Sequence, residues 1–179
     1  MTRVAVDAMG GDHAPGEIVS GAVAAHRSGV SVVLVGREDE VRAALSEAGA
    51  VPGDGLEVVD AREVVGMDDP DPARAVRSAR GSSILVASRL VRDGHADAVF
   101  SAGPTGASLA AAVLGMGRVR GVPRPAITLV LPFGDHPVVL VDAGANTDAR
   151  PDHLLGFAVL GTVFAQVRLG VRTPRVGLL

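Results

Sequence analysis

The chain has no cysteine and no lysine among its 179 residues, so all seventeen basic side chains are arginine. The first absence excludes disulfides, a thiolate nucleophile and an acyl-cysteine intermediate. The second excludes Schiff-base and amine chemistry. There is no basic block either, and the net charge is -3, so nucleic acid is not an expected partner. Long hydrophobic runs are also missing. The longest, Leu154 to Ala165, is flanked by Asp152 and Arg168; it falls short of the ~20 residues a membrane span needs and reads as a buried core helix. Arg3-Val4-Ala5-Val6 reads as a strand rather than a secretory leader, so the expectation is a soluble, cytoplasmic protein. With 47% hydrophobic and 21% charged residues, the composition is that of a globular domain with a sizeable core.

Short apolar runs alternate with helical patterns. Strands are expected at Val4–Val6, Ser31–Gly36, Leu56–Asp60, Ala96–Phe100, Ala126–Leu131 and Val138–Val141, with a turn over Pro132–His136. Helices are expected at Glu17–Arg27, Glu38–Ala48 closed by Gly49, Ile84–Arg92 closed by Gly94, from about Ser108 to Leu114, and Asp152–Leu169. This alternation predicts an α/β fold: a doubly wound, mainly parallel sheet flanked by helices (α/β/α), over a single domain 1–179. Thr173–Leu179 reads as the start of a further strand, so the chain reads as the N-terminal part of something longer.

In such sheets ligands sit beyond the carboxyl ends of strands. Three glycine-rich turns follow apolar runs and could converge there. The first, Asp7-Ala8-Met9-Gly10-Gly11-Asp12-His13, allows a sharp bend or close approach to a ligand. Its Asp and His could bind a metal or move protons; equally, Asp12 could order the turn and His13 be solvated. The second, Ser101-Ala102-Gly103-Pro104-Thr105-Gly106, runs from strand to helix, with Pro104 suited to the first helical turn. Such a turn leaves N–H groups to meet an anion, or is a structural turn and nothing more. The third is Asp142-Ala143-Gly144-Ala145-Asn146. Arg74, Arg77 and Arg80 at three-residue spacing would line one side of a helix, facing either an anion or solvent. Ser82-Ser83 could cap the helix that follows. None of the turns has Gly-x-Gly-x-x-Gly or P-loop spacing.

The runs Val4 to Pro15, Ser101-Ala102-Gly103-x-Thr105-Gly106-Ala107, Arg124-Pro125-Ala126-Ile127, Asp142-x-Gly144-Ala145-Asn146 and Pro174 to Leu179 resemble those of the bacterial phosphate acyltransferases of phospholipid synthesis, in the same order. The resemblance implies a fold like that of isopropylmalate dehydrogenases and phosphotransacetylases. It also implies reversible transfer of a long-chain acyl group from acyl-carrier protein to inorganic phosphate. The acyl-phosphate formed would feed a membrane glycerol-3-phosphate acyltransferase. It further implies a homodimer, loose association with the membrane surface, and no cofactor or metal. Ser101, Thr105 and Asn146 would be catalytic. Asp7, Gly10, Gly11, Asp12, His13, Arg77, Ser82, Gly103, Gly106, Arg124, Asp142 and Gly144 would hold phosphate or substrate. The chain departs from the family's usual pattern in having Pro104 for Asn, and Ser78-Ala79-Arg80-Gly81 for a lysine-rich turn. Family members also continue for a comparable length past the position of Leu179.

The residues are compatible with that chemistry. Holding phosphate beside a thioester removes much of the barrier, and amide N–H groups, hydroxyls and an arginine can stabilise the developing oxyanion. Arg77 and Arg124 are the candidate cations. The alternative is a truncated or non-catalytic remnant that keeps an anion- or carrier-binding surface. A nicotinamide-dependent dehydrogenase is disfavoured by the missing dinucleotide fingerprint.

Overall fold

The computed structural model describes residues 1–179 except Asp135 and Thr147. The chain forms two compact units, Met1–Gly117 and Arg118–Leu179.

The first unit contains β1 (Arg3–Asp7), α1 (Gly16–Arg27), β2 (Ser31–Gly36), α2 (Glu38–Glu47), β3 (Leu56–Asp60), α3 (Pro72–Ser78), α4 (Ser83–Arg92), β4 (Ala98–Phe100) and α5 (Thr105–Ala111). A π-helical turn, Ala112–Met116, continues α5. The four strands pair in parallel in the order β3-β2-β1-β4, with Val4 opposite Val32, Leu34 opposite Val58 and Val6 opposite Phe100.

Alternation along each strand sorts the core into layers. Val6, Val32 and Leu34 face α1 and α2 through Val19, Val23, Val41 and Leu45. Ala5, Val33 and Val35 face the other way, toward Ala87 of α4. A third cluster joins Val76 of α3, Leu85 of α4 and Ala107 and Ala111 of α5. The α/β/α arrangement expected from the alternating pattern is therefore present. Gly49 closes α2 at φ 63°, and the Gly49 and Ala50 amides donate to Ser46 and Leu45 carbonyls. That pair of bonds needs a left-handed residue, which glycine adopts without strain.

The second unit holds β5 (Thr128–Phe133), β6 (His136–Val141) and α6 (Pro151–Leu169). The strands pair antiparallel, Thr128 opposite Val141 and Phe133 opposite His136. Pairing therefore runs further into the connection than the expected turn over Pro132–His136, of which Asp135 lies outside the described residues. α6 is not the buried core helix expected: His153, Phe157 and Ala165 are buried, while Leu155, Val159, Val163 and Val167 are exposed. A two-stranded ribbon offers one surface, and one side of a helix can cover it. The strand expected at Thr173–Leu179 does not form; those residues carry no regular structure, and Leu178 and Leu179 are exposed. Among the described residues no helix is long and apolar enough to cross a membrane.

Candidate functional site

From β1 the sheet grows through β2 and β3 to one side and through β4 to the other. The chain thus reverses its direction of winding between β1 and β4. At such a switch point the loops leaving neighbouring strands diverge and open a crevice. Asp7 is the last residue of β1, and Ser101 is the first after β4.

These two side chains meet. The Ser101 hydroxyl donates to Asp7 Oδ2 at 2.7 Å, across 94 residues of sequence. Ser101 Oγ in turn accepts from the Gly103 amide at 3.0 Å. Asp7 Oδ1 accepts from the Met9 amide at 3.3 Å, and the residue is 3% exposed. Gly10 lies directly against this group. A Cβ there would come within 2.6 Å of Asp7 Oδ2, 2.8 Å of Ser101 Oγ and 2.9 Å of the Gly103 nitrogen. Gly10 is therefore required for close approach, and the first two glycine-rich turns come together as expected.

The details differ from the sequence reading. Asp7, rather than Asp12, orders the first turn; Asp12 and His13 are exposed. Gly11 takes φ 117°, beside Ala102. The Gly103 amide, expected to face an anion, is used by Ser101. Pro104 precedes α5 in an extended conformation, φ -56° and ψ 134°, instead of sitting in its first turn. Thr105 and Gly106 then start the helix, both exposed. Their amides lie in the first turn, where helix geometry provides no acceptor.

α3 packs along α5, with Pro72 lying 3.7 Å from where a Gly106 Cβ would be. Val76 faces inward, so Arg74 and Arg77 are exposed, and neither forms an ion pair among the described residues. Arg80 lies beyond the helix end, because α3 stops at Ser78; the expected three-arginine face is a two-arginine face. Ser82 does not cap α4 with its side chain. Its hydroxyl is buried and unpartnered, and the Ser83 amide donates to the Glu63 carbonyl instead.

In the second unit two motifs lock together. Asp142 Oδ1 accepts from the Ile127 amide at 2.7 Å, and Oδ2 accepts from the Asn146 amide at 2.7 Å. The Asn146 side chain donates to the Pro125 carbonyl and to Asp142 Oδ2, while its own oxygen accepts from Arg124 at 3.0 Å. Gly144 turns between them at φ 91°. Arg124, Arg150 and His153 line a shallow hollow. His153 is 4% exposed, its ring nitrogens facing the Arg150 amide at 3.3 Å and the Arg150 guanidinium at 3.1 Å. A neutral imidazole can accept at only one of them. No motif pointed to His153, because a single histidine near a helix start has no distinctive spacing.

Charge is otherwise held in exposed pairs. Asp60, at the end of β3, accepts from the Glu38 amide at 3.1 Å and from Arg62 at 3.0 Å. First the amide and then Arg62 hold its carboxyl below the ordinary value, against a smaller opposing effect of burial. At Asp152, burial raises the value, but Arg150, His153 and a backbone hydrogen bond together outweigh it and the net direction is down. Among the described residues no three His, Asp or Glu side chains gather as metal donors.

A parallel sheet whose reversal point carries two interlocked glycine-rich turns defines the class: an α/β protein with its candidate site at the switch point. Within that class, the chain belongs to the family described as fatty acid synthesis protein, whose model matches residues 2–179. It is 49% identical to the phosphate acyltransferase of Desulfitobacterium hafniense strain Y51, covering 100% of this chain and 53% of that protein. It is also 49% identical to the phosphate acyltransferase of Heliobacterium modesticaldum, covering 99% of this chain and 53% of that one. The chain thus spans about half the length of the curated relatives it matches. Among solved structures, the EutD phosphotransacetylase from Staphylococcus aureus superposes with a TM-score of 0.62 at 17% identity, over 92% of this chain and 52% of that one. A phosphotransacetylase from Streptococcus pyogenes gives 0.63 at 18% identity, over 88% of this chain and 51% of that chain. At such identities these two establish the fold alone.

Proposed function

We propose that the chain carries the phosphate-handling part of a phosphate acyltransferase, which moves a long-chain acyl group from acyl-carrier protein to inorganic phosphate. A phosphate oxygen attacks the thioester carbonyl, the carbon–sulfur bond breaks, and the carrier thiol leaves with a proton as acyl-phosphate forms. The observation that carries this reading is the meeting of two family motifs, through Asp7 and Ser101, at the switch point of the sheet.

The exposed Thr105 hydroxyl and the Thr105 and Gly106 amides supply donors for phosphate, and Arg77 supplies charge. Positioning is the larger part of the work, because phosphate is a solvated, mobile nucleophile. Arg124, oriented by Asn146, is the second candidate cation, in the other unit. Acyl-carrier protein and phosphate are the proposed substrates, and a membrane glycerol-3-phosphate acyltransferase the proposed consumer of the product. A cytoplasmic homodimer that touches the membrane surface would place product near that consumer.

The test is phosphate-dependent release of thiol from acyl-carrier protein, with acyl-phosphate trapped by hydroxylamine. Turnover that requires phosphate supports the reading. Phosphate binding without turnover favours a non-catalytic chain that keeps the anion site. Absence of both phosphate binding and turnover overturns both readings.

A further inference from the structure

An aspartate at a phosphate site is electrostatically out of place, since a carboxylate repels the ligand. The geometry gives Asp7 a different task. It is the end of a relay in which Asp7 Oδ2 accepts a hydrogen bond from the Ser101 hydroxyl at 2.7 Å and Ser101 Oγ accepts one from the Gly103 amide at 3.0 Å. A serine hydroxyl has one hydrogen. With that hydrogen donated to Asp7, a residue 3% exposed, Ser101 has none left for an anion.

We propose that Asp7 is a positioning residue that acts through Ser101 on the Gly103 amide. It fixes the turn leading into Thr105, and neither Asp7 nor Ser101 contacts the phosphate. Two further observations fit. The Met9 amide occupies the other carboxylate oxygen, so the side chain is held at both ends. Gly10 leaves no atom between the strands' ends to disturb the pair. The consequence for phosphate rests on the acyltransferase reading above; the relay itself does not.

The experiment uses the 179-residue chain and Asp7→Ala, Ser101→Ala, the double variant and Asp7→Asn. Hydrogen exchange at the Gly103 amide is followed by NMR, together with titration by inorganic phosphate. Each alanine variant is expected to speed Gly103 exchange about tenfold, the effect of one lost hydrogen bond. The double variant should be no faster than either single one, because the two residues act as a unit. Asp7→Asn keeps an acceptor for the hydroxyl and should restore slow exchange. Phosphate affinity should fall by the same factor in the two alanine variants. Unchanged Gly103 exchange in Ser101→Ala, or additive effects in the double variant, overturns the relay, and Ser101→Ala decides even where Asp7→Ala fails to fold. Loss of phosphate affinity in Ser101→Ala with Gly103 exchange unchanged makes Ser101 a direct ligand and also overturns it. If the parent binds no phosphate while the exchange pattern holds, the function fails and the relay stands.

Discussion

Gly10 is the residue on which the candidate site turns most sharply. A methyl group there would lie 2.6 Å from Asp7 Oδ2 and 2.9 Å from the Gly103 nitrogen, far inside normal contact, and all three of its nearest neighbours are held by hydrogen bonds. Gly10→Ala should therefore separate Asp7 from Ser101. Overpacking of this kind costs about 1–3 kcal/mol, measurable by denaturant unfolding, and phosphate affinity should fall with it. A variant with parent-like stability would show that the turn can move aside. Pro104 makes the opposite case. It stands before α5 with no side-chain cap, at a backbone conformation asparagine can adopt. Pro104→Asn should change stability little, because a side-chain cap of ~0.5–1 kcal/mol offsets the similar amount lost with proline's restriction of the unfolded chain. If the asparagine usual in the family also donates to the oxyanion, acyl-phosphate formation should rise about tenfold or more. A thermal melt and the thiol-release assay read the two effects separately. The sequence showed that these glycines and hydroxyls were special, but it could not show which pairs met. Asp7 and Ser101 are 94 residues apart, and no local pattern encodes that distance. The same holds for Ile127 and Asp142, which local reading left in separate motifs.

At the scale of elements, strands and helices of the first unit were legible because periodicity and punctuation agree there: apolar runs of strand length, then helices closed by Gly49 and Gly94. Caps were less legible. Ser82 has the right chemistry and sits at the start of α4, yet its hydroxyl is buried without a partner. The start of α2 is held by a residue far along the chain: Asp60, at the end of β3, accepts from the Glu38 amide at 3.1 Å. This contact gives a pH prediction with a definite sign. The folded Asp60 carboxyl titrates below its ordinary value, chiefly through that amide and then through Arg62. Its stabilising contribution is therefore complete above the ordinary aspartate value of ~3.9 and is lost as pH falls through the lower folded value. Asp60→Asn should be slightly less stable at neutral pH. Its melting temperature should also fall less steeply than the parent's on acidification below pH ~4. Parallel melting curves down to strong acid would show that the contact contributes nothing.

At the scale of the whole molecule, the parallel sheet and the elements of the second unit were readable, while the separation of that unit from the sheet was not. Thr128–Phe133 and His136–Val141 have the composition of strands in any sheet, and only pairing shows them to be an antiparallel ribbon. The apolar stretch of α6 misled for a related reason: hydrophobicity shows that a surface is to be covered, without showing what covers it. Leu155, Val159, Val163 and Val167 follow one another at four-residue steps, which places them along one side of the helix, and they are 69%, 56%, 50% and 75% exposed. A contiguous apolar strip of this length is more than soluble monomers ordinarily leave open. The 179-residue chain should therefore self-associate, its apparent mass by light scattering rising with protein concentration. Leu155→Gln with Val167→Gln interrupts the strip at both ends. Because both positions are exposed, the two changes should alter stability by no more than about 0.5 kcal/mol each. The double variant should hold a constant monomeric mass at concentrations where the parent grows, with an unchanged circular dichroism spectrum. A parent that stays monomeric throughout would show that the strip is tolerated in water, and association that persists in the variant would move the sticky surface to another face.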